Sequence, residues 1–145
     1  MFITGHLIIG LLIGKLTHNY TVAVLTSLLV DIDHLIPYLR HGIMLKPTLI
    51  WQAVISAHDH QGYQRNLLHS FITLTLIGSL LVLLHFNWGI IIIITWASHL
   101  FVDMIDNSDF YPFYPLTYNF KGPIVYLSTT EYIITAILLV AFFLL

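Results

Sequence analysis

Nine histidines stand in this chain against only five lysines and arginines together. Cysteine is absent. That removes disulfides and thiolate metal sites and leaves imidazole and carboxylate as the candidate donors. Seven such groups fall into short clusters: His6, then Asp31, Asp33 and His34 in Asp31-Ile32-Asp33-His34, then His69, then His99 and Asp103. His99 and Asp103 are four apart, so on a helix they share one face. Imidazole with carboxylate suits Zn, Mn or Fe better than Mg. Seven donors exceed one tetrahedral set, which leaves room for two ions. A divalent ion there would neutralise carboxylates that otherwise repel. It would also lower the pKa of a water toward neutrality, which is the chemistry of hydrolysis. The expected cofactor is therefore a divalent metal ion, Zn or Mn.

The elements that must position these groups are apolar. The chain is 58% hydrophobic and 8% charged, whereas a soluble domain carries about 25% charged residues. Phe2 to Gly14 is apolar on every face. Lys15 to Asn19 is a polar break, and Tyr20 to Val30 is apolar again. Each piece is short against the about 20 residues of a full span, so a tilted or partly inserted helical hairpin fits better than one kinked helix. Met1 to Gly5 carries no Lys or Arg, and no small-residue cleavage site follows. The segment therefore reads as mature structure rather than a signal peptide. Asp31 to Arg65 is a polar stretch containing Pro37 and Pro47. Within it, Pro47 to His58 is expected to form a short surface helix with proline in its first turn.

Asn66 to His85 and Gly89 to Ile105 are further apolar segments, joined by a turn near Phe86 to Gly89. The β-branched run Ile90 to Thr95 reads as helix, because a lone strand cannot span lipid with its backbone unpaired. Asp106 to Leu127 is a loop holding Tyr111, Phe113, Tyr114, Tyr118, Phe120 and Tyr126, the pattern of an interfacial aromatic belt. Ser128 to Glu131 has the form of a capping box, and a last apolar helix follows. The expected fold is all-α: one membrane-embedded domain over residues 1–145, a polytopic transmembrane bundle of about four to five helices that includes a short N-terminal helical hairpin.

Counting from the turns brings the polar groups together. His6 and Asp31 lie at nearly equal distances from the Lys15 to Asn19 break, ~17–20 Å at helical rise. His69 and Asp103 lie ~25 Å from the second turn, with His99 one helical turn lower. All seven donors therefore converge at one end of the bundle. Ionisable groups inside lipid are costly, so they should face one another or water.

The order of motifs resembles a known family. Gly5-His6, Asp31-Ile32-Asp33-His34, Arg65-Asn66-Leu67-Leu68-His69-Ser70, Ser98-His99-Leu100-Phe101-Val102-Asp103 and Tyr114-Pro115 together resemble the small integral-membrane proteins described as membrane-bound metal-dependent hydrolases, or LexA-binding, inner-membrane-associated hydrolases. The resemblance covers nearly the whole chain. It departs at Val30, where the family usually has Pro, and at Gln64, where it usually has His. His58 and His60 are the nearby imidazoles that could substitute.

Net charge is −2, so no basic field exists to hold nucleic acid. The expected partners are the membrane lipid bilayer and a lipid or amphiphilic substrate. Two function classes remain. One is a hydrolase of an ester or phosphoester in which His6, Asp31, His34, His69, His99 and Asp103 hold metal while Asp33 and Arg65 act in catalysis. The other is a module that binds or transports metal ions or protons. A transporter wants polar groups continuing across the bilayer, yet the far ends offer only Lys15, His18, His85 and Asn87. The site end carries Arg40, Lys46, Arg65 and Lys121 against Lys15 at the other. By the positive-inside rule the site is expected on the cytoplasmic face of the inner membrane.

Overall fold

The computed structural model describes residues 3–57 and 67–145, and it is all-helical, with no strand among the described residues. The described residues form seven α-helices: α1 Ile3–Thr17, α2 Tyr20–Leu29, α3 Leu35–Arg40, α4 Pro47–Ile55, α5 Phe71–Leu83, α6 Gly89–Asp103 and α7 Thr129–Leu144.

α1 and α2 form the hairpin expected from the break. Asn19 caps α2 by accepting from the Val22 N–H at 3.2 Å, and His18 takes a positive φ of 53° in the turn. Gly10 and Gly14 let the two backbones close. A Cβ on Gly10 would lie 3.0 Å from Ser27 Cβ and 3.1 Å from Val24 Cα, and one on Gly14 would lie 2.8 Å from Tyr20 Cα. Small residues four apart serve this purpose in membrane helices, where packing rather than water drives association.

The helix does not end at Val30, as the polar residues after it suggested. Val30–His34 winds as a 3-10 helix and runs on into α3, so Tyr20–Arg40 is one 21-residue helical run, long and apolar enough to cross a membrane. Pro37 explains the local winding. It has no N–H to give the carbonyl one turn back, and its ring crowds that carbonyl. The chain tightens just before it.

The third apolar segment also differs from the expected range. Its helix starts at Phe71, with Ser70 as N-cap accepting from the Ile72 N–H at 3.2 Å. His69 therefore precedes α5 instead of riding on it. α4 matches the expected short helix but stops at Ile55, with Pro47 in its first turn and no buried residue. In the aromatic loop, Phe110 is fully buried while Phe113 and Tyr118 stay exposed. Ser128 caps α7. Glu131 departs from an ordinary capping box by accepting from the Leu127 N–H at 2.6 Å, one residue before the cap.

Two apolar clusters hold the bundle. Val30, Leu74, Trp96, Leu100 and Phe110 join α5, α6 and the loop under the site. Ile9, Ile13 and Ala23 join the first hairpin to Ile91, Val102 and Leu138. Lys15 closes the far end: its Nζ donates to the Phe142 carbonyl at 2.7 Å and lies 5.0 Å from the Phe142 ring centroid. The outward surface is apolar along its length, with Leu25, Leu76, Leu80, Ile90, Phe101, Ile133, Ile137 and Phe143 exposed. Such a continuous apolar exterior suits lipid rather than water.

Candidate metal centre

His6 sits in the first turns of α1, Asp31, Asp33 and His34 on the 3-10 winding, His69 just before α5, and His99 and Asp103 in the last two turns of α6. The structure brings these side chains into one cluster at one end of the bundle. His69 Nε2 and His99 Nε2 are 3.4 Å apart, and each is 3.5 Å from Asp103 Oδ2. The same two nitrogens are each 3.5 Å from Asp31 Oδ1, which also lies 3.6 Å from His34 Nε2. His6 Nε2 is 3.2 Å from Asp103 Oδ1, and the His6 ring stacks on His99 with centroids 3.7 Å apart.

The tautomer of His99 follows from its other nitrogen. Nδ1 lies 2.8 Å from the Ser27 carbonyl oxygen, which can only accept. Nδ1 therefore carries the hydrogen, and Nε2 presents a lone pair to the cluster. Its neighbours there are carboxylate oxygens at 3.5 Å, longer than a good hydrogen bond of about 2.7–3.2 Å. A tetrahedral ion with bonds of about 2.0–2.2 Å sets its ligand atoms about 3.3–3.6 Å apart. The triangle of His69 Nε2, His99 Nε2 and Asp103 Oδ2 has those edges, and the triangle completed by Asp31 Oδ1 has them too. The donor set and its spacing thus fit a divalent ion. Three trios in this cluster could hold one: His6, Asp31 and His99; Asp31, His34 and His69; His69, His99 and Asp103.

Burial gives the centre a closed and an open side. His6, His69, His99 and Asp103 are at most 2% exposed, while Asp31 and His34 are 20% and 25% exposed. Asp31 and His34 form the open side.

Asp33 stands apart from Asp31 although only two residues separate them. On a 3-10 winding of about three residues per turn, positions two apart diverge strongly. Asp33 is fully buried, with Oδ2 accepting the Leu68 N–H at 2.8 Å and lying 3.5 Å from His69 Nδ1. The Leu68 carbonyl in turn accepts the Trp96 Nε1–H at 2.7 Å. Ser70 donates its hydroxyl to the Tyr114 carbonyl at 2.9 Å, and the Phe71 N–H meets the Pro112 carbonyl at 2.8 Å. The short segment carrying His69 is thereby pinned from the first hairpin, from α6 and from the aromatic loop.

Ser27 is a site residue that the sequence reading missed. Fully buried on α2, it donates its hydroxyl to the His6 carbonyl at 2.6 Å while its own carbonyl fixes His99. Arg65 falls outside the described residues, as do His58, His60 and Gln64.

The sequence profile of the YdjM inner membrane proteins matches residues 1–145. The chain belongs to the YdjM inner membrane protein family. Membership places this YdjM protein in the inner membrane and accounts for its apolar exterior. No curated protein and no solved structure matches it.

Proposed function

We propose that this YdjM protein is a metal-dependent hydrolase that cleaves an ester or phosphoester of a lipid-like or membrane-proximal substrate. The observation that carries the reading is the buried triangle of His69 Nε2, His99 Nε2 and Asp103 Oδ2, with edges of 3.4–3.5 Å. A bound Zn or Mn would supply positive charge to the reacting group and make a nearby water more acidic.

The chain's own residues do the rest. His6, Asp31, His34, His69, His99 and Asp103 would hold the metal. Ser27 keeps His99 in the tautomer that offers Nε2. Asp33 is a positioning residue. Its place behind His69 is that of the outer carboxylate that orients a metal-bound imidazole and raises its basicity. Arg65, two residues from Leu67, remains the proposed partner for negative charge on the substrate. Asp31 and His34 flank the entrance.

The reading includes five passes through the bilayer: α1, the run from α2 to α3, α5, α6 and α7. The site end, with Arg40, Lys46 and Lys121, faces the cytoplasm. A substrate head group is then presented from the cytoplasmic leaflet.

The test is hydrolysis by detergent-purified protein. Phospholipid and p-nitrophenyl ester and phosphoester panels should be cleaved after Zn or Mn loading. Cleavage should stop on chelation and be lost in His99→Ala. Metal-loaded protein that cleaves none of these would overturn the enzymatic reading, leaving a metal-binding membrane protein.

A further inference from the structure

We infer that the centre is built for two divalent ions, with the four histidines divided in pairs and Asp31 and Asp103 lying between the pairs. The inference rests on the metal-dependent reading above and specifies its stoichiometry.

A neutral imidazole offers one lone-pair nitrogen, whereas a carboxylate has two oxygens and can serve two ions. Two of the possible trios, His6 with Asp31 and His99, and His34 with Asp31 and His69, have no histidine in common. Asp31 is their only shared member. Its Oδ1 lies 3.5 Å from the Nε2 of one histidine of the first pair, His99, and 3.5 and 3.6 Å from those of the second, His69 and His34.

Asp103 occupies the corresponding position on the buried side. Its trio takes one histidine from each pair, His69 and His99. Its two oxygens are used separately, Oδ2 at 3.5 Å from both of those nitrogens and Oδ1 at 3.2 Å from His6 Nε2. Two carboxylates shared between two pairs of imidazoles, with His69 and His99 meeting at the seam at 3.4 Å, form the arrangement of a carboxylate-bridged pair of ions. A single tetrahedral ion uses four donors. It would leave two of the six side chains without a ligand role, although His6 is nearly fully buried and His34 stands at the entrance.

The pairs also differ in access. His6 and His99 are both buried, whereas in the second pair His69 is buried and His34 is partly open. The ion held by His34 and His69 should therefore exchange first, and the one held by His6 and His99 should be the more tightly retained.

The experiment is metal content per chain, together with electron paramagnetic resonance, on detergent-purified protein loaded with Mn and freed of excess. Two Mn per chain with an exchange-coupled spectrum is the expected result. His34→Ala alters a partly exposed side chain and should keep its helical circular dichroism. It should hold one Mn per chain with an uncoupled six-line spectrum. One Mn per wild-type chain would overturn the pairing and leave the single-ion hydrolase reading standing. No bound Mn, and none with Zn, would overturn both. Two coupled ions retained in His34→Ala would overturn the division into pairs. The coupling in wild-type protein decides the stoichiometry even if the variant fails to fold.

Discussion

In the first hairpin the donors are carried by unbroken helical winding: His6 lies within α1, and Asp31 on the 3-10 turn that continues α2. In the second hairpin only His99 and Asp103 ride on a helix, while His69 stands in a short segment before α5. The packing differs in the same sense. Gly10 meets the backbone of α2 at Val24 Cα and the first side-chain atom of Ser27, whereas Gly78 on α5 meets only the outer atoms of Ile93. The first hairpin sets its donors by close backbone contact. The second sets His69 by hydrogen bonds through Asp33, Leu68, Trp96 and Ser70. A site assembled this way has one rigid half and one half whose geometry depends on specific polar partners.

The most severe way to break the comparison is to remove His99, a donor of the second half that lies against both His6 and His69. His99→Ala should lower both the metal content and the melting temperature of metal-loaded protein. A ligand present at 100 times its dissociation constant adds about 2.7 kcal/mol to the native state. Unchanged metal content and melting temperature would remove the metal centre from consideration. Next in size is Asp33→Asn, which should weaken metal binding by about 10–100-fold through the orientation of His69. Isothermal titration of apo-protein with Zn measures this, and unaltered affinity would deny Asp33 its positioning role.

Gly10→Ala and Gly78→Ala compare the two hairpins directly. The first should destabilise by about 1–3 kcal/mol, because backbone and Ser27 must move apart. It should also weaken metal binding, since Ser27 fixes both His6 and His99. The second should be neutral within about 1 kcal/mol, because better helix propensity offsets the crowding at Ile93. Thermal unfolding in one detergent reads both, and equal losses would erase the distinction drawn here. The smallest effect is expected for Trp96→Phe, about 1 kcal/mol for the lost Nε1–H bond to Leu68. It should be accompanied by a modest loss of metal affinity.

The convergence of His6, Asp31, His34, His69, His99 and Asp103 was legible because helical rise converts residue counts into depth, and two turns gave two origins. The relation of His99 to Asp103 was legible for the same reason. Three features were not. The continuation of α2 through Asp31 into α3 was hidden because Asp31, Asp33 and Pro37 carry the marks of a loop, and tertiary packing overrode them. The start of α5 at Phe71 was hidden because an apolar run does not show where its first turn closes. Ser27 and the Leu68 peptide act largely through backbone groups, which every residue possesses, so no residue type announces them. Asp33 lay between these cases: its identity was visible, but its direction depended on a winding the sequence did not reveal.

The bond from Lys15 to the Phe142 carbonyl joins residues 127 positions apart, and that separation has a consequence for biogenesis. A ribosome delivers the first hairpin to the membrane long before it makes α7. Until then the carbonyl that receives the ammonium of Lys15 has not been made. Arrival of α7 supplies that carbonyl and an aromatic face together. The hairpin that carries His6 is thus closed at its tip only when the last helix exists, a helix that contributes no donor to the site.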